Sequence, residues 1–297
     1  MFHNSVLLEA SIKALAIQPG GIYVDATYGG GGHSKAILKE LKGGKLFAFD
    51  QDEDAFNNKI EDDRLIMIHN NFRYLRNILK LYKTVPVDGI LADLGISSYQ
   101  IDHPERGFST RFEGELDMRM NRDKKISAKE IVNQYPEEKL ALLFREYGDL
   151  RNATKIARLI ITARKVNPVN TTMELKEALT HAAGRGKENK FFAQVFQALR
   201  IEVNQELESL KEFLIQATDV LKQGGRIVVI SYHSLEDKLV KNYFRSGNFE
   251  GTLEKDFYGN PVVPLSAINR KPIVPDEREV VLNSRARSAR LRIAEKI

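Results

Sequence analysis

Apolar positions along this chain follow two rhythms, and the switch between them divides it. In the first hundred residues, short apolar runs at 21–24, 45–50, 65–69 and 88–93 read as strands, and segments of helical spacing at 5–16, 34–41, 53–60 and 72–82 lie between them. Strands alternating with helices at this interval predict a parallel sheet covered on both faces. From 127 to 203 the apolar spacing is helical throughout, with segments at 140–147, 154–164, 172–181 and 191–203 and a Gly-Arg-Gly linker at 184–186. A long amphipathic helix at 201–221, a strand at 224–231 and a helix at 236–243 then restore the first rhythm. The pattern predicts a doubly wound, mainly parallel α/β sheet interrupted by an inserted all-helical domain. The expected boundaries are 1–105 for the first part of the sheet domain, 106–189 for the insertion and 190–297 for the second part.

The chemistry gathers where the strands end. Val24-Asp25 runs into Ala26-Thr27-Tyr28 and then four consecutive glycines, Gly29 to Gly32, before the helix that starts at Ser34. Strand, glycine turn and helix open a nucleotide-sized crevice at the carboxyl edge of a sheet. A dinucleotide fingerprint needs a further glycine at the sixth position, and Ser34 or Lys35 stands there in the two possible registers. Asp25, Asp50 and Asp93 each close a predicted strand, and three carboxylates at one edge repel a pyrophosphate. They suit a ligand with a sulfonium, an ammonium and ribose hydroxyls, which is S-adenosylmethionine (SAM). Asp50 lies about 20 residues beyond the loop, the usual interval for an acid that holds ribose hydroxyls. Phe72, just past the third strand, is placed either to stack on adenine or to staple the next helix.

Composition narrows the setting. The absence of cysteine excludes disulfides and thiolate metal sites, and no metal site is expected. No apolar stretch approaches the roughly 20 residues of a membrane span. The first residues do not read as a secretion signal, so a cytoplasmic location and no membrane partner are expected. A net charge of +5 permits a nucleic-acid partner. The last stretch, with Arg285, Arg287, Arg290, Arg292 and Lys296 against Glu295, reads either as a solvated tail or as a grip on a phosphate backbone.

Several blocks are longer than this general pattern requires. They are Ser5-Val6-Leu7-Leu8-Glu9, Asp25-Ala26-Thr27 with Gly29 and Gly31-Gly32-His33-Ser34, Asp50-Gln51-Asp52, and 88–98 with Gln100. Further on stand Arg106-Gly107-Phe108-Ser109, Leu116-Asp117-Met118-Arg119-Met120, Phe196-Gln197-Ala198-Leu199-Arg200-Ile201 and Ser231-Tyr232-His233-Ser234-Leu235-Glu236-Asp237. Arg285-Ala286-Arg287-Ser288 with Leu291-Arg292 closes the series. With these blocks, nearly the whole chain resembles the bacterial small-subunit (16S) ribosomal RNA methyltransferases that methylate the exocyclic N4 of a cytosine near the decoding centre. It departs from them at Glu113-Gly114-Glu115, where Asp-Gly-Pro is usual, and at Asn283-Ser284, where Asn-Pro is usual.

The resemblance implies a Rossmann-like SAM methyltransferase domain, a helical substrate-recognition insertion, and 16S ribosomal RNA or the small ribosomal subunit as partner. A homodimer is left open. It places cofactor contacts on Gly31, Gly32, His33, Asp50, Phe72, Asp93 and Gln100; Asp25 and Gly29 join them from the strand and loop reading. Related amino-methyltransferases carry an acid, Ser or Asn followed by Pro-Pro-aromatic after the fourth strand. Here Asp93-Leu94-Gly95-Ile96-Ser97-Ser98 keeps the acid without the prolines. Asp93 or the neighbouring loop carbonyls are expected to orient the target amino group, with Ser97 or Ser98 assisting. On the RNA side the candidates are Arg106, Arg119, Arg285 and Arg287 for phosphates, and His233, which either faces the site or makes a structural hydrogen bond. His3, ahead of the first helix, is a minor candidate for substrate contact. Three rivals remain: a nicotinamide oxidoreductase, which would bind NAD rather than SAM; a DNA amino-methyltransferase; and an RNA-binding factor that transfers no methyl group.

Overall fold

The computed structural model describes residues 5–297, so His3 lies outside the described residues. The chain divides into two compact units, residues up to 95 with 207–297, and residues 96–206. In the first stretch α1 (Leu8–Leu15), β1 (Ile22–Asp25), α2 (Gly32–Glu40), β2 (Lys45–Asp50), β3 (Leu65–His69), α3 (Leu75–Leu81) and β4 (Val87–Asp93) follow one another. The helical unit holds α4 (Ser98–Asp102), α5 (Ala128–Gln134), α6 (Glu137–Glu146), α7 (Ala153–Val166), α8 (Thr172–Leu179) and α9 (Glu188–Asn204). The chain then continues through α10 (Glu206–Val220), β5 (Leu221–Ser231), α11 (Ser234–Ser246), β6 (Leu265–Ala267), α12 (Glu277–Leu282) and β7 (Arg290–Lys296).

The sheet runs β3-β2-β1-β4-β5-β7-β6. Strands β1 to β5 pair in parallel, and β7 is antiparallel to both β5 and β6. The central strands are buried on both faces: Leu46 to Phe49 of β2 and Ile90 to Ala92 of β4 have no exposed surface. Strands of this kind need unbroken apolar runs, which is how they stand out in the sequence. Because they are parallel, their carboxyl ends share one edge, and the reversal of strand order between β1 and β4 opens a crevice there.

The helical unit is larger than the sequence pattern predicts, starting at 96 instead of 106 and ending at 206 instead of 189. The physical reason is α9, whose Phe191, Val195 and Leu199 sit in one core with Leu140 and Phe144 of α6 and Ile156 of α7. The expected long helix at 201–221 is two helices, α9 and α10, broken where Gln205 adopts φ 52°. Residues 53–58 form a 3₁₀ helix where an α-helix was expected.

The basic tail is the largest correction. From Arg290 to Lys296 it is not a solvated tail, because β7 completes the sheet between β5 and β6. Arg292 is buried and bonds Asp237 of α11 through Nε at 2.7 Å and Nη2 at 3.1 Å; Arg290 bonds the same carboxylate at 3.0 Å. Burial pushes the Asp237 carboxyl up, but Arg292 and then Arg290 outweigh that and hold it below the ordinary range. Stability from this clamp is therefore present at neutral pH and is lost as pH falls through the depressed value. Asp237→Ala leaves a guanidinium buried without its partner and is expected to lower the free energy of unfolding by about 3 kcal/mol. Urea denaturation at pH 7 measures this, and a loss under about 1 kcal/mol, typical of an exposed pair, would count against the clamp.

Candidate functional site

Asp25, Asp50 and Asp93 end β1, β2 and β4, which are neighbours in the sheet, but the three acids are held differently. Asp25 has no exposed surface; Oδ1 accepts the Thr27 N–H at 3.1 Å and Oδ2 the Ser34 hydroxyl at 2.7 Å. Asp25 thus braces the glycine loop from beneath and has no surface to offer a cofactor, which corrects its expected contact role. Asp50 is partly exposed and accepts the Gly29 N–H at 2.8 Å and the Asp52 N–H at 2.9 Å. Its carboxyl is pushed up to about 6, burial outweighing the two N–H donors, with Asp52 and Asp25 adding to the rise.

Asp93 is the most heavily furnished of the three. Its N–H donates to Thr27 Oγ1 at 2.6 Å, and its Oδ1 accepts the Tyr232 hydroxyl at 2.8 Å. Oδ2 lies 3.7 Å from His33 Nδ1, and the side chain keeps 22% exposure. Burial pushes this carboxyl up to about 6; His33 and the Tyr232 hydroxyl oppose the rise, while Asp25 and Glu236 add to it. Tyr232 follows the end of β5, beside β4, and its own hydroxyl is raised far above the ordinary phenol range by burial and by Asp93. The sequence reading passed over Tyr232 as an Asp93 partner. Strand adjacency carries the signal, since Asp93 pairs with Ile230 across the β4–β5 ladder.

The glycine loop is built for two purposes. Gly29 takes φ 52° and gives its N–H to Asp50, and Gly30 is exposed with open space around it. Gly31 takes φ 76°, and an added Cβ would stand 2.7 Å from the Tyr28 hydroxyl; at Gly32 a Cβ would stand 2.0 Å from Ser5 Oγ. Gly29, Gly30 and Gly32 keep exposed surface and Gly31 is buried, while Gly31 and Gly32 are glycine because Tyr28 and Ser5 press on them. His33 is buried, with Nε2 3.1 Å from the Val6 carbonyl and Nδ1 toward Asp93, so it ties the loop to the acid. Phe72 packs edge-on against Phe213 of α10, with centroids 5.1 Å apart, and stays partly exposed.

Ser97, Ser98 and Gln100 belong to the helical unit. There Ser97 and Gln100 form the capping box of α4: Ser97 Oγ accepts the Gln100 N–H at 3.2 Å and Gln100 Oε1 accepts the Ser97 N–H at 3.0 Å. Ser98 is the first residue of that helix. Arg106 and Arg119 are corrected as phosphate contacts. Arg106 is buried, donating to the carbonyls of Arg119 at 3.0 Å and Met120 at 3.3 Å. Arg119 is paired with Asp117 at 2.6 Å and donates to the carbonyls of Arg122 and Lys124.

His233 caps α11: Nδ1 accepts the Glu236 N–H at 3.4 Å, and buried Glu236 accepts the N–H groups of Tyr232 and His233. Of the remaining cationic candidates, Arg285 is half-buried and Arg287 is exposed, both on a short 3₁₀ turn at Ser284–Ser288. His233 and Arg287 line one cleft of about 450 Å³ beside Tyr232.

A family model described as the MraW methylase family matches residues 1–297. A protein of Christiangramia forsetii named ribosomal RNA small subunit methyltransferase H is 56% identical over 297 residues, covering 100% of this chain and 98% of its own length. The protein of the same name from Flavobacterium johnsoniae is 55% identical over 297 residues, with the same coverage. Among solved structures, an rRNA methylase from Streptococcus thermophilus aligns at a TM-score of 0.43 and 13% identity, covering 97% of this chain and 93% of that one.

The raised carboxyls predict a cost in stability. Between the ordinary value of 3.8 and about 6, the folded state holds protons at Asp50 and Asp93 that the unfolded chain has released. Stability from these groups is thus complete below that window and falls as pH rises through it. Asp93→Asn, which keeps an acceptor for Tyr232, is expected to be more stable than the parent at pH 7.5 by roughly 1–2 kcal/mol and to lose the advantage near pH 4. Denaturant midpoints at the two pH values measure this; an advantage equal at both would refute it.

Proposed function

The chain belongs to the MraW methylase family, and on that premise we propose that it transfers a methyl group from SAM to the exocyclic N4 of a cytosine in small-subunit ribosomal RNA. The substrate class is supported by the relatives of that name, 53–56% identical over essentially the full chain. The target atom is supported by one observation, a partly exposed carboxylate at the end of β4 with a tyrosine hydroxyl fixed on one oxygen and an imidazole beside the other.

The residues fit the donor. SAM supplies an electrophilic methyl group and carries the sulfonium charge. Gly29 and Gly30 offer accessible main chain, and Asp50 has used two of its carboxylate's roughly four acceptor sites on backbone N–H groups, leaving the rest for ribose hydroxyls. A cation arriving in the crevice stabilises the ionised forms of Asp50 and Asp93, which burial opposes.

On the acceptor side, the lone pair of a cytosine amino group is delocalised into the ring, and the amino group attacks only when held in line and made more pyramidal. Asp93 does this as an acceptor: its carboxylate takes an amino N–H, so the nitrogen lone pair turns toward the methyl group. Tyr232 keeps that carboxylate from rotating and His33 supports its negative charge, so both are positioning residues. The methylated amino nitrogen is positively charged until it loses a proton, and the Asp93 carboxylate, with its pKa near 6, is the acceptor on hand. The target base must leave its stack to reach such a pocket.

Label transfer from radioactive SAM to small-subunit RNA, followed by nuclease digestion and mass mapping, tests the reading; a mark on a carbon or a ribose would overturn it. Asp93→Ala is expected to reduce turnover by about 10²–10⁴-fold at saturating SAM. Tyr232→Phe removes a hydrogen bond that favours the Asp93 carboxylate, so the acid limb of its pH–rate profile moves to higher pH. An unmoved limb would mean that Tyr232 only packs.

A further inference from the structure

The cleft beside Tyr232 has a composition the methyl donor does not require. It is about 450 Å³, and its polar lining comes from Tyr232, His233, Ser234, Arg287, Ser288 and Arg290. Arg287 is exposed, and Arg290 keeps half its side-chain surface although one nitrogen bonds Asp237. His233 is 9% exposed; its Nε2 makes no hydrogen bond, and Glu236 Oε1 lies 3.2 Å away. Ser234 is the first residue of α11, so its hydroxyl stands at the positive end of that helix. Val274 and Pro275 complete the wall with apolar surface. Two guanidinium groups, an imidazole and two serine hydroxyls around one opening suit a tetrahedral anion.

Strand order says which anion. Asp93 ends β4, with β1 and β2 on one side carrying the glycine loop and Asp50, and β5 on the other leading into Tyr232 and the cleft. The donor's groups belong on the β1 side, and the cleft opens on the β5 side of the same acid. Tyr232 is the shared wall, bonding Asp93 at 2.8 Å while lining the cleft. We infer that this cleft receives a backbone phosphate of the RNA strand next to the extruded cytosine, with Arg287 as its principal cation and the Arg290 guanidinium and His233 flanking it. The inference rests on the reading of RNA as substrate and assigns part of that substrate to a named site. The Asp237 clamp on Arg290 and Arg292 fixes β7, and with it the turn that carries Arg287.

The test compares Arg287→Ala, Arg287→Lys and Lys45→Ala in the full-length protein. Lys45 is exposed at the amino-terminal start of β2, on the opposite edge of the sheet. Methyl transfer to small-subunit RNA, supplied naked and as the assembled subunit, is followed over a salt series. Arg287→Ala is expected to raise the RNA KM severalfold and flatten the log–log salt dependence by about 0.7–0.9, the share of one phosphate contact. Arg287→Lys recovers part of this, and Lys45→Ala matches the parent. Calorimetric titration with SAM is expected to give the parent's affinity for Arg287→Ala; a weakened donor would overturn the inference by making the cleft the seat of the donor's own carboxylate. Salt slopes equal for Arg287→Ala and Lys45→Ala would also overturn it, with the substrate reading intact. A parent protein that methylates no RNA in either form defeats the substrate reading, and this inference with it.

Discussion

The carboxylates of Asp25, Asp50 and Asp93 stand at the ends of three neighbouring strands, where lost hydration opposes ionisation and the Asp25 charge adds to the resistance at Asp50 and Asp93. A parallel sheet imposes this geometry, because the side chains that end its strands share one edge. The local structure around the edge answers it with donors. Ser34 and the Thr27 N–H serve Asp25, Gly29 and Asp52 serve Asp50, and Tyr232 serves Asp93, with the His33 imidazole 3.7 Å from its other oxygen. Each donor lies in a block that a sheet alone would not require, which is why the chain is so specific around its strand ends. The glycine loop follows from the same need: only a turn through positive φ at Gly29 brings its N–H onto Asp50.

Much of this was legible from residue order. The buried parallel strands announce themselves as unbroken apolar runs, and an acid at the end of each is a local feature. The illegible parts depend on partners distant in sequence. Nothing near Asp93 says that Tyr232, 139 residues later, will meet it. The break at Gln205 carries neither glycine nor proline, although it falls beside the boundary at 206–207 between the two units. The cap of α11 is equally hidden: His233 is not a usual capping residue type, and Glu236 bonds Tyr232 and His233 and leaves Asp237 for the arginines.

The carboxyl-terminal segment shows how a charge count misleads. Read by composition, Arg290 and Arg292 are tail cations. Read with the strand period of two, they fall on one face and Leu291 and Ile293 on the other, as an amphipathic strand requires. Their shared face meets Asp237, so the Arg292 charge and one nitrogen of Arg290 are spent on holding β7 to α11. Arg106 and Arg119 are spent similarly on carbonyls and on Asp117. A net charge of +5 therefore overstates the cationic surface available to an RNA, and the usable part is local.

Binding and stability are set by the same groups here with opposite sign. Acids raised to about 6 are ionised at neutral pH only against the resistance of their surroundings, so the folded chain without a ligand bears that cost. On the proposed reading, a cationic donor relieves it on arrival, and the relief adds to its affinity because a counter-charge in a partly dehydrated crevice is screened less than one in water. A neutral product of the donor gives no such relief, so the same electrostatics that draw the cation in favour release once the methyl group and its charge have gone. The acids at the strand ends thus favour turnover as well as capture, provided that the Tyr232 and His33 contacts keep Asp93 from finding a different partner in the interval.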